Sequence, residues 1–259
     1  MQEQIEKNYS SASSTDFVSI SIVSHGQFDL VKNLLDDLAR FNTLPLEVIL
    51  TLNVDEPIAF TLESHWLPIT VIKNAVPKGF GANHNAAFRH AKGAFFCVLN
   101  PDVRLRSDPF SILITTLRDT GGGAIAPLII APNGTTEDSA RHFPTPLSIL
   151  SKLIGIASKT EYPLSVTPYS PDWIAGMFML FPSETFRMIG GFDERYFLYY
   201  EDVDICARLR KYGIGVISDP RVSCVHDARR TSHRNVRYMS WHLTSMCRYF
   251  VRRYLLNVY

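Results

Sequence analysis

Two hydrophobic periods share this chain. The β-rich runs VSISIVS (18 to 24), LEVILTL (46 to 52), ITVIKN (69 to 74) and AFFCVLN (94 to 100) predict strands, the last apolar on both faces. Between them Leu30, Val31, Leu34, Leu35, Leu38 and Ala39 recur at helical spacing, and Ala82 to His90 reads as an Ala-rich helix. Apolar strands separated by amphipathic helices predict an α/β class: a Rossmann-like, mostly parallel sheet with helices on both faces. Open sheets of this kind bind ligands beyond the carboxyl ends of their strands. The sequence is polar at those ends, with Ser24, His25 and Gly26 after the first strand, Asn53 and Asp55 after the second, Asn74 after the third, and Asn100, Pro101 and Asp102 after the fourth.

The second half carries a different signal. In GGFDERYFLYYEDVDICARLRKYG, Gly190 to Gly213, an aromatic turn runs into a helix predicted over Glu201 to Tyr212. Ile205, Cys206, Leu209 and Tyr212 form its buried stripe, and Gly213 is its stop. Asp202 lies one turn earlier on the inward side, whereas Asp204 is expected to face out and pair with Arg208. Phe192, Tyr196, Phe197, Tyr199 and Tyr200 suit the wall of a cleft in which an inward carboxylate meets a substrate. First-turn acids also complement a helix dipole with no substrate present, so both roles stay open. From Asn235, a third helix places Val236, Met239, Leu243, Cys247, Phe250 and Tyr254 on one stripe, with Arg237, Arg248 and Arg252 off it. That stripe either closes the core or lies on an anionic membrane.

Composition narrows the setting. The chain has 259 residues, 46% hydrophobic and 20% charged, which suits one large globular domain. The expected division is a flexible tail over residues 1–16, a main domain over 17–234 and the amphipathic basic helix over 235–259. No apolar run approaches the roughly 18 residues of a membrane span. Cys97, Cys206, Cys224 and Cys247 are widely spaced among apolar neighbours, which suits reduced core thiols and a cytoplasmic protein. Net charge is +1, yet residues 205 to 259 hold 11 Lys and Arg against Asp219 and Asp227. That basic end points to an anionic partner such as a diphosphate or a lipid headgroup. No groove-reading or base-stacking module accompanies it, so nucleic acid is not the expected partner.

Two shorter motifs add chemistry. PKGFGANHNAAFRHAKG (77 to 93) has glycines, Gly79 and Gly81, that would let a ligand approach the backbone at a helix start, but it matches neither a dinucleotide fingerprint nor a Walker loop. LNPDV (99 to 103) ends a strand with Asp102, a carboxylate suited to Mg2+ or Mn2+ that borrows further ligands from a diphosphate, or simply to a turn.

These pieces, in this order over about Val18 to Ser232, resemble the family 2 glycosyltransferases of GT-A fold, and among them the rhamnosyltransferase-like members that build bacterial surface polysaccharides. KGFGANHNAA, WIAGMFML and the Gly190–Gly213 stretch carry the resemblance. It implies Asp202 as catalytic base with Glu201 beside it, and Asp102 as the acid on the side of a divalent cation, Mg2+ or Mn2+, with His226 joining it. It further implies Ser24, His25, Asn53, Asp55, Gly79, Gly81, Asn85 and Asn100 on the nucleotide side, with Arg229 and Arg230 taking diphosphate charge. Leu52 stands where that family often has an acid, and Asn100 replaces the first acid of its metal motif. The implied activity is inverting transfer of a sugar, rhamnose by resemblance, from a nucleoside-diphosphate sugar to a glycan or lipid-linked glycan acceptor. The enzyme would act in the cytoplasm at the inner face of the cell membrane, touching it through the C-terminal helix. The alternative is an inactive nucleotide-sugar-binding or scaffold subunit of a polysaccharide assembly.

Overall fold

The computed structural model describes residues 16–56, 67–153, 162, 165–227 and 236–259. The expected tail, apart from Asp16, lies outside them, as do Arg229 and Arg230. Ten strands and seven α-helices are described. The strands are β1 (Val18–Ser24), β2 (Leu46–Leu52), β3 (Ile69–Lys73), β4 (Phe95–Leu99), β5 (Val103–Arg104), β6 (Ala124–Ile130), β7 (Ala140–Arg141), β8 (Trp173–Ile174), β9 (Phe178–Pro182) and β10 (Val216–His226). The helices are α1 (Phe28–Phe41), α2 (Phe80–Phe88), α3 (Phe110–Thr120), α4 (Pro146–Leu153), α5 (Ser183–Met188), α6 (Glu201–Lys211) and α7 (Val236–Phe250), the last continuing into a widened turn over Val251–Leu255.

Eight strands form one sheet in the order β3-β2-β1-β4-β9-β6-β10-β5, and β7 pairs with β8 separately. β3, β2, β1 and β4 run parallel, with β2, β1 and β4 buried along their whole length and β3 half-buried at the edge, and β10 runs parallel to β6. β9 is antiparallel to both β4 and β6, and β5 closes the far edge antiparallel to β10. Apolar side chains fill both faces. Leu34, Leu38, Phe110 and Leu117 of α1 and α3 pack on one side, and Phe96, Phe186, Ile205 and Leu209 on the other.

Four expectations change. Tyr212, placed on the buried stripe of α6, is 68% exposed because the helix ends at Lys211 before completing that turn. Asp204 is fully buried rather than outward, neutralised by Arg208 at 2.7 Å and Arg252 at 3.4 Å. Cys247 is exposed, unlike the other three thiols. The predicted stripe of α7, apart from Phe250, which packs on the core, faces away from the body, because the helix docks through Trp241, Ser245 and Tyr249 instead. No helix among the described residues is long and apolar enough to cross a membrane.

Candidate functional site

Glu201 and Asp202 open α6, and the turn before them is strained. Tyr199 and Tyr200 have φ of 68° and 66°, in the left-handed region that costs a tyrosine about 1–3 kcal/mol. Packing holds it there. Trp241 lies 4.5 Å from the Phe197 ring, Ser245 Oγ donates to the Leu198 carbonyl at 2.9 Å, and His242 meets both tyrosines edge-on. From the other side, Phe80 N donates to the Phe197 carbonyl at 2.8 Å, stitching the start of α2 to the same turn.

This contact explains the glycines of PKGFGANHNAA differently from a ligand cradle. A Cβ on Gly79 would lie 2.6 Å from the Phe197 carbonyl oxygen, and one on Gly81 would lie 2.6 Å from Phe192 Cβ. The close approach is to the protein's own aromatic turn. Asn85 likewise spends its amide there, accepting from Phe192 N at 2.9 Å and donating to the Phe192 carbonyl at 2.9 Å and to Glu194 at 3.0 Å. The two most family-like motifs therefore build one another.

Asp202 is half-buried, with Oδ2 accepting from Gly176 N at 3.1 Å and Oδ1 from Val203 N at 2.9 Å. Burial raises its pKa, while those amides and the nearby charge of Arg141 pull it back. Glu201 is buried, with Oε2 unpartnered, and burial followed by the Asp202 charge pushes it well above the usual carboxylate range. Of the two, Asp202 is the more accessible.

Asp102 follows β4, and His226 ends β10. His226 Nε2 lies 3.4 Å from Asp102 Oδ2, and its Nδ1 lies 2.7 Å from Glu137 Oε2. Burial opposes charge on this imidazole, but hydrogen bonds to Asp102 and Glu137 outweigh it and raise the pKa to about 9. Asp102 Oδ1 is buried without a hydrogen-bond partner. Among the described residues no group of three or more His, Cys, Asp or Glu side chains is arranged to hold a metal. The donor set still fits a hard divalent cation, since the orphaned oxygen of Asp102 and one nitrogen of His226 supply two ligands and such ions take the rest from water and phosphate.

The two acidic centres share one framework. Asn100 N donates to the Met177 carbonyl at 2.9 Å, next to the Gly176 that binds Asp202. On the far side Ala175 N donates to the Ser139 carbonyl at 2.8 Å, and Ser139 N to the Glu137 carbonyl at 2.9 Å. Glu137 and Arg141 were not singled out in the sequence, where GTTEDSARHF carries no period or spacing that marks them.

The nucleotide-side residues divide. His25 and Asp55 are exposed, and Asn100 is half-buried. Asn53 is fully buried, with Oδ1 accepting from Lys78 N at 2.8 Å and from Asn74 Nδ2 at 2.7 Å, so its amide shapes the loop before α2 instead of facing a ligand. Ser24 is fully buried, and its Oγ accepts from Gln27 N at 3.2 Å.

The sequence profile described as Glycosyl transferase family 2 matches residues 19–182. Over 93% of its length the chain is 32% identical to the rhamnosyltransferase WbbL of Escherichia coli K12, and it covers 95% of that protein. It is 30% identical over 148 residues to an N-acetylglucosaminyl-diphospho-decaprenol L-rhamnosyltransferase of Mycobacterium tuberculosis, covering 53% of this chain and 48% of that one. Among solved structures, GalNAc-T7 with UDP, GalNAc and Mn2+ superposes with a TM-score of 0.69 at 15% identity, over 90% of this chain and 47% of that one. The mannosyltransferase PcManGT from Pyrobaculum calidifontis, in complex with GDP-Man and Mn2+, does so at 0.60 and 19% identity, over 91% of this chain and 64% of that one. These likenesses show the GT-A fold. With the profile spanning the sheet from β1 to β9 and a relative matched along nearly its whole length, the chain belongs to glycosyl transferase family 2 and is a glycosyltransferase.

Proposed function

We propose that this enzyme transfers a sugar, rhamnose, from a nucleoside-diphosphate donor to a hydroxyl of a lipid-linked glycan or growing surface polysaccharide, with inversion at the anomeric carbon. The observation that carries this reading is the accessible, amide-held carboxylate of Asp202, joined through Gly176, Met177 and Asn100 to the strand end bearing Asp102. The rhamnosyltransferase names of two relatives support the sugar. The acceptor would be met at the inner face of the cell membrane, with the enzyme on the cytoplasmic side.

Asp202 removes the acceptor proton as its oxygen attacks the anomeric carbon and the nucleoside diphosphate leaves. Burial makes Asp202 a stronger base than a solvated aspartate, and the Gly176 amide fixes its direction. Burial and the Asp202 charge favour the protonated form of the neighbouring Glu201, which leaves Asp202 as the carboxylate of the pair. Asp102 and His226 would hold a divalent cation, Mg2+ or Mn2+, a reading supported by the Mn2+ in both solved neighbours. When bound, that cation neutralises charge on the diphosphate. Glu137 accepts from Nδ1 and orients the imidazole, and Nε2 would face the cation once the proton it shares with Asp102 is displaced.

Thermal shift against a panel of nucleotide sugars, with and without Mn2+, followed by nucleoside-diphosphate release with the stabilising donor, tests the reading. It expects dTDP-rhamnose to stabilise most, Mn2+ to add to the shift, and Asp102→Asn to abolish that addition. Donor binding without release, whatever acceptor is offered, would leave the binding-subunit alternative in its place.

A further inference from the structure

The outer side of α7 is apolar where a surface helix is normally polar. Val236, Met239, Leu243, Cys247, Val251, Tyr254 and Leu255 recur every three or four residues along one face, which runs on to Leu256. All eight are exposed, Val236 at 82% and Leu255 at 77%. At 1.5 Å per residue the stripe is roughly 30 Å long. The opposite side grips the body, with Trp241 on Phe197, Ser245 on the Leu198 carbonyl and Tyr249 against Tyr200. A helix amphipathic in this sense has one apolar surface left to cover.

Charge decides what covers it. Residues 236–259 hold no acidic residue; of their four arginines Arg252 turns inward to Asp193 and Asp204, Arg248 and Arg253 pack over Tyr196 and Phe143, and Arg237 is exposed beside the apolar face. Arg237 is exposed at the start of the helix, its guanidinium 4.9 Å from the Trp241 ring, a pairing that suits a membrane–water interface. A second copy of the chain is the poorer fit. A stable interface takes about 20–30 residues a side, and this stripe is one helix wide.

We propose that the outer face of α7 seats on an anionic lipid bilayer, lying in the plane of the headgroup–acyl boundary. The turn bearing Asp202 is packed on the inner face of the same helix, so seating sets the catalytic carboxylate about one helix diameter, ~10 Å, from the lipid. The inference deepens the lipid-linked acceptor named above. Its test uses no turnover, so either can fail alone.

Flotation of the full chain on vesicles of phosphatidylcholine, with and without phosphatidylglycerol, reads the contact directly. The expected result is binding to the anionic vesicles, weakened by salt, and a loss of roughly tenfold or more in Leu243→Asp and again in Leu255→Asp, since each removes a buried apolar side chain from the lipid. Both positions are exposed, and circular dichroism with donor thermal shift checks that the variants stay folded. Wild-type protein that stays at the bottom of the gradient overturns the proposal, as do aspartate variants that float equally well. A dimer in light scattering that Leu243→Asp dissociates would assign the face to a second copy and overturn it too.

Discussion

The amide of Gly176 donates to Oδ2 of Asp202 at 3.1 Å, tying the first turn of α6 to the segment that feeds β9. The next residue, Met177, accepts from Asn100 N at 2.9 Å, two positions before Asp102. A carboxylate on a helix and one at a strand end are thereby held to one scaffold by backbone hydrogen bonds, which are stiffer than side-chain packing alone.

Asp202→Asn should isolate the proton-transfer role. The amide oxygen can still accept from Gly176, while the Val203 amide loses its acceptor and the base is lost. Turnover is expected to fall by ~10² to 10⁴, or roughly 3–5 kcal/mol, against a stability loss of only about 1 kcal/mol. Nucleoside-diphosphate release within tenfold of wild type would remove Asp202 from the chemistry.

Glu201 gives a pH signature in stability. Burial first, and then the charge of Asp202, raise its pKa in the folded chain, so the folded state binds this proton more tightly than the unfolded state. Its stabilising effect is complete below the unfolded value of about 4.3 and disappears as pH rises through the folded value. Glu201→Gln removes that dependence. Melting curves across pH should show the variant gaining on wild type as the solution becomes neutral. A constant offset between the two would refute the raised pKa.

Gly79→Ala and Gly81→Ala test what those glycines are for. Each new methyl meets a neighbour at 2.6 Å, the Phe197 carbonyl in one case and Phe192 Cβ in the other. Overpacking of this kind costs about 1–3 kcal/mol, so both variants should lose stability without donor present. If they lose only donor affinity, the glycines serve a ligand after all.

The first four strands were legible from their β-rich apolar runs, and α6 because its first turn and its Gly213 stop are both written in the chain. Asp102 could be named because it follows a strand and His226 only through the family resemblance, but their contact needs β10 to pair with β6 and β5 and bring residues far apart in sequence together. Glu137 was invisible for the same reason: it reaches His226 across 89 positions from a hairpin with no period of its own. Periodicity also gave α7 an apolar stripe without saying which way it points. The inward direction went to Trp241, Ser245 and Tyr249, whose partners lie on the strained turn. Asp204 looked like a surface acid because its second arginine and Tyr259 come from the far end of the chain.

Asp204→Ala should be among the costliest single changes. The carboxylate is fully buried, pairs with Arg208 at 2.7 Å and Arg252 at 3.4 Å, and accepts the Tyr259 hydroxyl. Removing it leaves the largely buried Arg208 without a counter-charge and Arg252 with Asp193 alone, at 3.2 Å, a loss of about 3–5 kcal/mol. Urea denaturation measures it, and Tyr259→Phe, which removes one neutral donor, should cost about 1 kcal/mol. Equal losses in the two variants would place the stabilisation elsewhere.

Trp241→Ala separates positioning from chemistry. Tyr199 and Tyr200 are held in the left-handed region by α7 on one side of the turn and by the Phe80 amide on the other, and the Trp241 ring, 4.5 Å from Phe197, is part of the α7 contact. Relaxing the turn moves the start of α6 and with it Asp202, and a misplacement near 1 Å can cost about 10²-fold in rate. The proposed diphosphate ligands, Asp102 and His226, are not among the residues in contact with the Trp241 ring, which packs on Phe197, Tyr238 and Arg237. Steady-state kinetics should therefore show kcat falling at least about tenfold with KM for the donor nearly unchanged, and Trp241→Phe, which keeps a ring against Phe197, restoring most of it. A purely structural tryptophan would lower the folded fraction and leave kcat per folded molecule intact, so a normal kcat in Trp241→Ala would break the link between this helix and the catalytic carboxylate.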